Sequence, residues 1–172
     1  MKHSIMSARR ATRSGFSLAE VVIALGVIAV GVVAILAVFP TALQTGRSAQ
    51  DETRAAQIAQ TIFGSLVGQA LSQFNNVQFL LSDNTTRSRP PIDLTTSSGT
   101  TPALTLYAEN DGELTQDATT AVYAIFIYTN NSVPGFTDPA SANLVTLRVA
   151  WPANAPAANQ TYRDYVRIIS KY

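Results

Sequence analysis

Residues 15–39 read GFSLAEVVIALGVIAVGVVAILAVF, and Glu20 is the only charged residue in the run. From Val21 to Phe39 there are 19 residues with no charge or strongly polar group, enough for a helix to cross the hydrocarbon core of a bilayer. A carboxylate at the centre of such a helix costs roughly 2.5–3.5 kcal/mol on insertion scales. Near one end it costs less, but it still needs a compensating partner. The stretch therefore sets the layout of the chain: an N-terminal apolar helix first, and whatever folds on its own after it.

Charge is unevenly placed around this helix. Lys2, Arg9, Arg10 and Arg13 precede Phe16 with no acid among them, whereas eight basic and eleven acidic residues follow, a net of −3. A basic arm before an apolar span predicts that the arm stays cytoplasmic and the remainder crosses outward. The acidic remainder argues against nucleic acid, which calls for clustered Lys and Arg. The absence of cysteine excludes a disulfide framework and thiolate metal or redox sites.

Three readings of the N-terminus compete. A secretory signal peptide has an apolar core of about 7–15 residues ending at a small-x-small site. Here the core is longer, and Ala37-Val38-Phe39-Pro40 matches such a site poorly. An uncleaved signal anchor holding an external binding domain explains the length and the charge asymmetry, but leaves Gly15 and Glu20 without a role. The third reading uses both. Gly15-Phe16-Ser17-Leu18-Ala19-Glu20, behind a short basic leader and ahead of an uninterrupted apolar helix, resembles the processing site of type IV pilins and type II secretion pseudopilins.

That resemblance is carried by residues 9–45; beyond them only the general layout is similar. It implies a leader of residues 1–15, cleavage between Gly15 and Phe16 by a membrane prepilin peptidase, and methylation of the new Phe16 amine by the same enzyme. It implies that Glu20 meets the positively charged N-terminus of a neighbouring pilin or pseudopilin subunit as the helix enters a fibre. A charge costly in lipid becomes acceptable when paired in a low-dielectric bundle. Gly15, lacking Cβ, lets a peptidase approach the backbone closely. The implied setting is the bacterial inner membrane, crossed once with the N-terminus cytoplasmic, and an inner-membrane assembly platform as a further partner. Two departures from many major pilins, Ala37 where they carry proline and the missing cysteines, point toward a minor pilin or pseudopilin.

Helical geometry adds to this. At 100° per residue, Glu20, Ala24, Val27, Gly31, Ala34 and Val38 fall within an arc of about 80°. The small residues Ala24, Gly31 and Ala34 suit close helix–helix approach. Pro40 is expected to kink or locally melt the helix as it leaves the membrane.

After the span the pattern stays helical and becomes amphipathic. Ala55, Ile58 and Ala59, Ile62, Leu66 and Val67, Ala70 and Phe74 recur at three- and four-residue steps, with Asp51, Glu52, Arg54, Gln57 and Gln60 on the other face. A break before this segment is expected at Thr45, Gly46 or Ser48. The expected organisation is a leader over 1–15, a membrane and assembly helix over 16–39, and its amphipathic continuation over 40–74. A polar loop over 75–102 and a β-rich extracytoplasmic head over 103–172 follow.

The loop assignment rests on Asn75-Asn76, Arg89-Pro90-Pro91 and the Ser/Thr-rich 95–101. Strands are expected at Ala103–Ala108, Ala121–Thr129, Leu144–Trp151 and Tyr165–Ile169, with the second of these central and Asn110-Asp111-Gly112 as a turn. The predicted fold is α+β and pilin-like: a long N-terminal helix on a small antiparallel sheet of about four strands.

Candidates for chemistry are few. Glu109, Asp111, Glu113 and Asp117 invite a calcium reading, but the ligand spacing of an EF-hand is absent and a solvated hairpin turn is the expectation. His3, the only histidine, falls in the leader, so a processed chain has neither His nor Cys for a triad or a transition-metal site. No P-loop or dinucleotide fingerprint occurs. Trp151 is expected as a core aromatic at a strand end, and Arg148, Arg163 and Arg167 as the wet side of the sheet. No cofactor, metal or enzymatic activity is expected. A secreted hydrolase would instead require cleavage after Phe39.

Overall fold

The computed structural model describes residues 15–82, 86–138 and 140–171. The basic residues of the expected leader (Lys2, Arg9, Arg10 and Arg13), with His3 and Asp83, lie outside these. A single helix, α1, spans Leu18–Ala70, and the chain divides at Gly46/Arg47 into two units. The helix continues through Pro40 and through Thr45, Gly46 and Ser48 without interruption in its assignment.

In the first unit, every described residue is exposed, including Leu18, Ile23, Val30 and Ile35. Apolar side chains left on all sides of a helix have no core within their own unit to enter. This one is long and apolar enough to cross a membrane.

The second unit is an α+β domain. Five strands follow α1: β1 (Leu104–Ala108), β2 (Leu114–Thr115), β3 (Tyr123–Asn130), β4 (Ala142–Trp151) and β5 (Thr161–Ser170). They form one sheet in the order β2-β1-β3-β4-β5, every neighbouring pair antiparallel. The expected central strand is central, and the four expected strands all form; the fifth, β2, has two residues and no pattern to announce it. Between β1 and β2, Gly112 takes φ +93°, a conformation that costs a residue with a side chain. Its N–H donates to the Glu109 carbonyl at 3.0 Å to close the turn.

The part of α1 in this unit presents Ala55, Ile58, Ala59, Ile62, Phe63, Leu66 and Ala70 to the core, where they join Leu104, Leu106, Ile125, Ile127, Val145, Leu147 and Val149. The amphipathic spacing predicted this face, with one exchange: Phe63 is buried and Val67 is 36% exposed. The helix stops at Ala70, and Phe74 is buried beyond its end. Trp151 is in the core, edge-on to Tyr123 with ring centroids 6.2 Å apart.

Strand register separates the three arginines expected on one face. Arg148 lies opposite Asp164, but Arg163 lies opposite Val149 and Arg167 opposite Val145. Directly opposed residues share a face, and Val145 and Val149 are core residues. Arg163 and Arg167 are therefore on the helix side, at its rim, where Arg163 pairs with Glu52 of α1. Arg148 is on the far side, bidentate to Asp164 and 4.4 Å from the centre of the Tyr162 ring.

The described residues of 75–102, a stretch polar by composition, form a strap built into the core. Val77, Phe79, Ile92 and Leu94 are buried, with Val77 and Ile92 forming a two-way backbone bridge. A carboxamide offers a donor and an acceptor spaced much as in a peptide group, and three of them hold this strap. Gln69 at the end of α1 pairs with both the N–H and the carbonyl of Gln78, at 3.1 and 2.7 Å. Gln116 does the same to Arg89, at 3.3 and 2.6 Å. The buried Asn143 of β4 donates to the carbonyls of Leu94 and Thr96 and accepts the N–H of Asn130.

Candidate functional site: residues 15–46

Gly15, Phe16 and Ser17 precede the helix in non-helical conformation, and Phe16 is 83% exposed. A Cβ on Gly15 would meet nothing within 4 Å, as would one on Gly31. Among the described residues, nothing crowds either position.

The helix starts where it does because Ser17 caps it. Ser17 Oγ accepts the N–H of Glu20 at 3.2 Å, and Glu20 Oε2 accepts the N–H of Ser17 at 3.4 Å. The Ser17 carbonyl then accepts the first helical hydrogen bond, from Val21 at 3.2 Å. This reciprocal pair is a capping box: it satisfies two otherwise orphaned N–H donors and sets a negative charge at the positive end of the helix dipole. Glu20, the only charged residue among the described residues of this unit, thus has a local partner on an exposed helix end. Sequence reasoning singled out Glu20 and passed over Ser17, although serine three residues before glutamate ahead of an apolar run is the signal for this motif.

Ala24, Gly31 and Ala34 lie on α1, fully within its helical run, and are exposed like the residues around them. Helical periodicity places them on the Glu20 side; no side chain of the unit covers them. Pro40, without an N–H, leaves one carbonyl of the preceding turn without its usual helical donor.

The described residues of 47–171 hold no group of three or more potential metal ligands. A groove of about 730 Å³, open to solvent, is lined by Asp51, Arg54, Gln57, Asn110 and Tyr123 among others. There the Tyr123 hydroxyl donates to Asp51 at 3.2 Å, and burial, reinforced by the Asp51 charge, pushes the phenol up to about 12. Arg54 donates to the Asp111 carbonyl at 3.4 Å. These contacts tie α1 to the sheet.

Three of the four acidic residues that invite a calcium reading accept local hydrogen bonds. Asp111 accepts the Glu113 N–H, Glu109 accepts the Thr120 hydroxyl, and Asp117 accepts both the N–H and the hydroxyl of Thr119, which hold its carboxyl below the usual range. Among the described residues, no three His, Cys, Asp or Glu side chains are grouped to hold a metal.

No protein-family model, curated protein or solved structure matches the chain.

Proposed function

We propose that the chain is a structural subunit, a minor pilin or pseudopilin, of a type II secretion pseudopilus or type IV pilus. In this reading it crosses the bacterial inner membrane once, with its N-terminus cytoplasmic. A prepilin peptidase cuts between Gly15 and Phe16 and methylates the Phe16 amine. The released helix then polymerises with those of other subunits on an inner-membrane platform. Glu20 exchanges its capping contact for the charged N-terminus of a neighbour.

The observation that carries the reading is the combination at the helix start. An exposed, non-helical Gly15-Phe16-Ser17 leads into a helix whose apolar side chains, from Leu18 to Leu43, have no cover from their own unit. Such a surface calls for lipid at one stage and for other helices at another. Glu20, solvated by its own helix end while single, has a charge to offer when helices gather.

Mass spectrometry of the protein extracted from the membrane of its bacterial host tests this directly. The expected N-terminus is Phe16, carrying one methyl group. A chain that retains residues 1–15 overturns the proposal in favour of an anchored domain that does not polymerise.

A further inference from the structure

β5 is the outer strand of the sheet, ten residues long, and it pairs with β4 at every position from Thr161 to Ser170 without a bulge. Its other side therefore presents a regular row of backbone N–H and carbonyl groups to no strand, a template for another chain. Beyond the β4 ladder, one hydrogen bond among the described residues reaches the backbone of 161–169: Arg163 donates to the Tyr162 carbonyl at 3.3 Å. The opposite edge is not left open in this way. β2 has two residues, and the Ser82 N–H bonds to its Leu114 carbonyl at 2.7 Å.

Side chains divide the β5 edge into two faces. Arg163 and Arg167 lie on the helix side, and Lys171 follows at the same four-residue interval. All three are exposed. On the far side, Tyr162, Val166 and Ile168 are 50%, 58% and 48% exposed. The acids around the strand are engaged. Glu52 pairs with Arg163, Asp164 with Arg148, and Asp138, in the loop ahead of Ser141, accepts the Ala140 N–H. Neither Arg167 nor Lys171 belongs to either ion pair formed among the described residues.

We propose that β5 docks an extended segment of a partner protein as a sixth, antiparallel strand, and that this segment carries acids on one face and apolar residues on the other. In strand addition the backbone hydrogen bonds give affinity and alternate side chains give specificity. Acids four residues apart oppose the cations, and apolar side chains on the other face meet Val166 and Ile168; opposite charges across neighbouring strands attract and like charges repel. A second copy is the wrong occupant. Paired two-fold through β5, it would bring its own Arg163, Arg167 and Lys171 to the same face, and charged side chains on an edge hold like edges apart. The site lies within residues 47–171 and stands whether or not the helix enters a fibre.

The probe is a labelled peptide as long as β5, Glu-Ala-Thr-Val-Glu-Val-Thr-Thr-Glu-Val. Run antiparallel, it sets glutamate opposite Lys171, Arg167 and Arg163 and valine opposite Ile168, Val166 and Tyr162. Fluorescence anisotropy follows its binding to the full-length protein in detergent, against empty micelles and against the same peptide with lysine for glutamate. The glutamate peptide should bind about tenfold more tightly than the lysine one, the sum of several cross-strand charge contacts. Arg167→Glu combined with Lys171→Glu should reverse the preference, and its gain of the lysine peptide shows that the variant is folded. Two further glutamate peptides, N-methylated at one or the other set of alternate residues, separate strand addition from charge alone. Successive N–H groups of a strand point to opposite edges, so one form should bind as the parent does and the other about tenfold more weakly. Equal affinity for the glutamate and lysine peptides, no binding of either, or an equal effect of the two methylation patterns overturns the proposal. A wild-type dimer in sedimentation that the glutamate peptide dissociates gives the edge to a second copy and overturns it too.

Discussion

Tyr123, buried on β3, donates its hydroxyl across 72 residues of sequence to Asp51 on α1, and its titration opposes the fold. Burial raises the phenol to about 12 in the folded state, against about 10 unfolded. A proton held more tightly when folded stabilises fully below pH 10, and that stability is lost as pH rises from 10 toward 12. Urea unfolding of the full-length chain in detergent, repeated across that range, should show a falling midpoint for the wild type. In Tyr123→Phe this alkaline fall should shrink, at a cost near neutrality of about 1 kcal/mol for the lost hydrogen bond.

Asn143 should be the most sensitive polar side chain in the domain. Asn143→Ala strands the carbonyls of Leu94 and Thr96 and the N–H of Asn130, and opens a cavity where a fully buried side chain stood. A loss of about 3 kcal/mol is expected from unpaired buried groups of this kind. Chemical denaturation measures it, and a loss under about 1 kcal/mol would remove the strap-holding role assigned to the carboxamide.

Thr129 should behave in the opposite way. Its Oγ1 is buried without a hydrogen-bond partner among the described residues. Thr129→Val keeps the shape and discards the desolvated hydroxyl, so stability should rise by about 1 kcal/mol. A lower denaturation midpoint for the valine variant would show that the hydroxyl is satisfied in solution.

At the other end of the chain, Ser17→Ala should weaken the helix start by about 1 kcal/mol, and Ser17→Asp should preserve it. Hydrogen exchange at the amides of residues 18–21 in micelles should then quicken about fivefold in the alanine variant only. Unchanged exchange would mean that the Ser17–Glu20 box does not hold the helix end.

Glu20→Ala removes the capping contact and the proposed assembly charge together. Insertion and cleavage after Gly15 are expected to proceed normally, with the variant failing to enter fibres. Fibre content measured against the wild type decides it, and undiminished incorporation would refute the pairing role of Glu20.

The parts of the fold visible in the sequence are those in which one period dominates. The α1 face at Ala55, Ile58, Ile62 and Leu66, and the alternation through β3, β4 and β5, follow from helix and strand spacing alone. The strap was not visible, because its four core residues fall in two pairs, Val77 with Phe79 and Ile92 with Leu94, each too short to show a period and set apart by a polar, proline-containing stretch. Their place depends on carboxamides 9, 27 and 49 positions away in sequence. Phe63 and Val67 are four apart, so a face drawn from spacing includes either; the core favours the larger ring. Spacing within one strand cannot relate Arg148 to Arg163 and Arg167; the β4–β5 register, with Arg148 opposite Asp164, sets Arg148 on the face away from the other two. At the candidate site, Glu20 stood out as a charge among apolar residues. Ser17 did not, since serine is unremarkable until its partner three residues on is considered.

The exposure of residues 18–46 has a calorimetric consequence. Heat-capacity change on unfolding comes from side chains that pass from a protein interior into water. In a detergent solution, the head's core residues make that passage and the helix's apolar residues do not, because their surroundings are detergent before and after. A melting scan of the whole chain would therefore weigh a domain of residues 47–171 and be nearly silent about the rest. The thermodynamics of residues 18–46 belong to whatever medium encloses them.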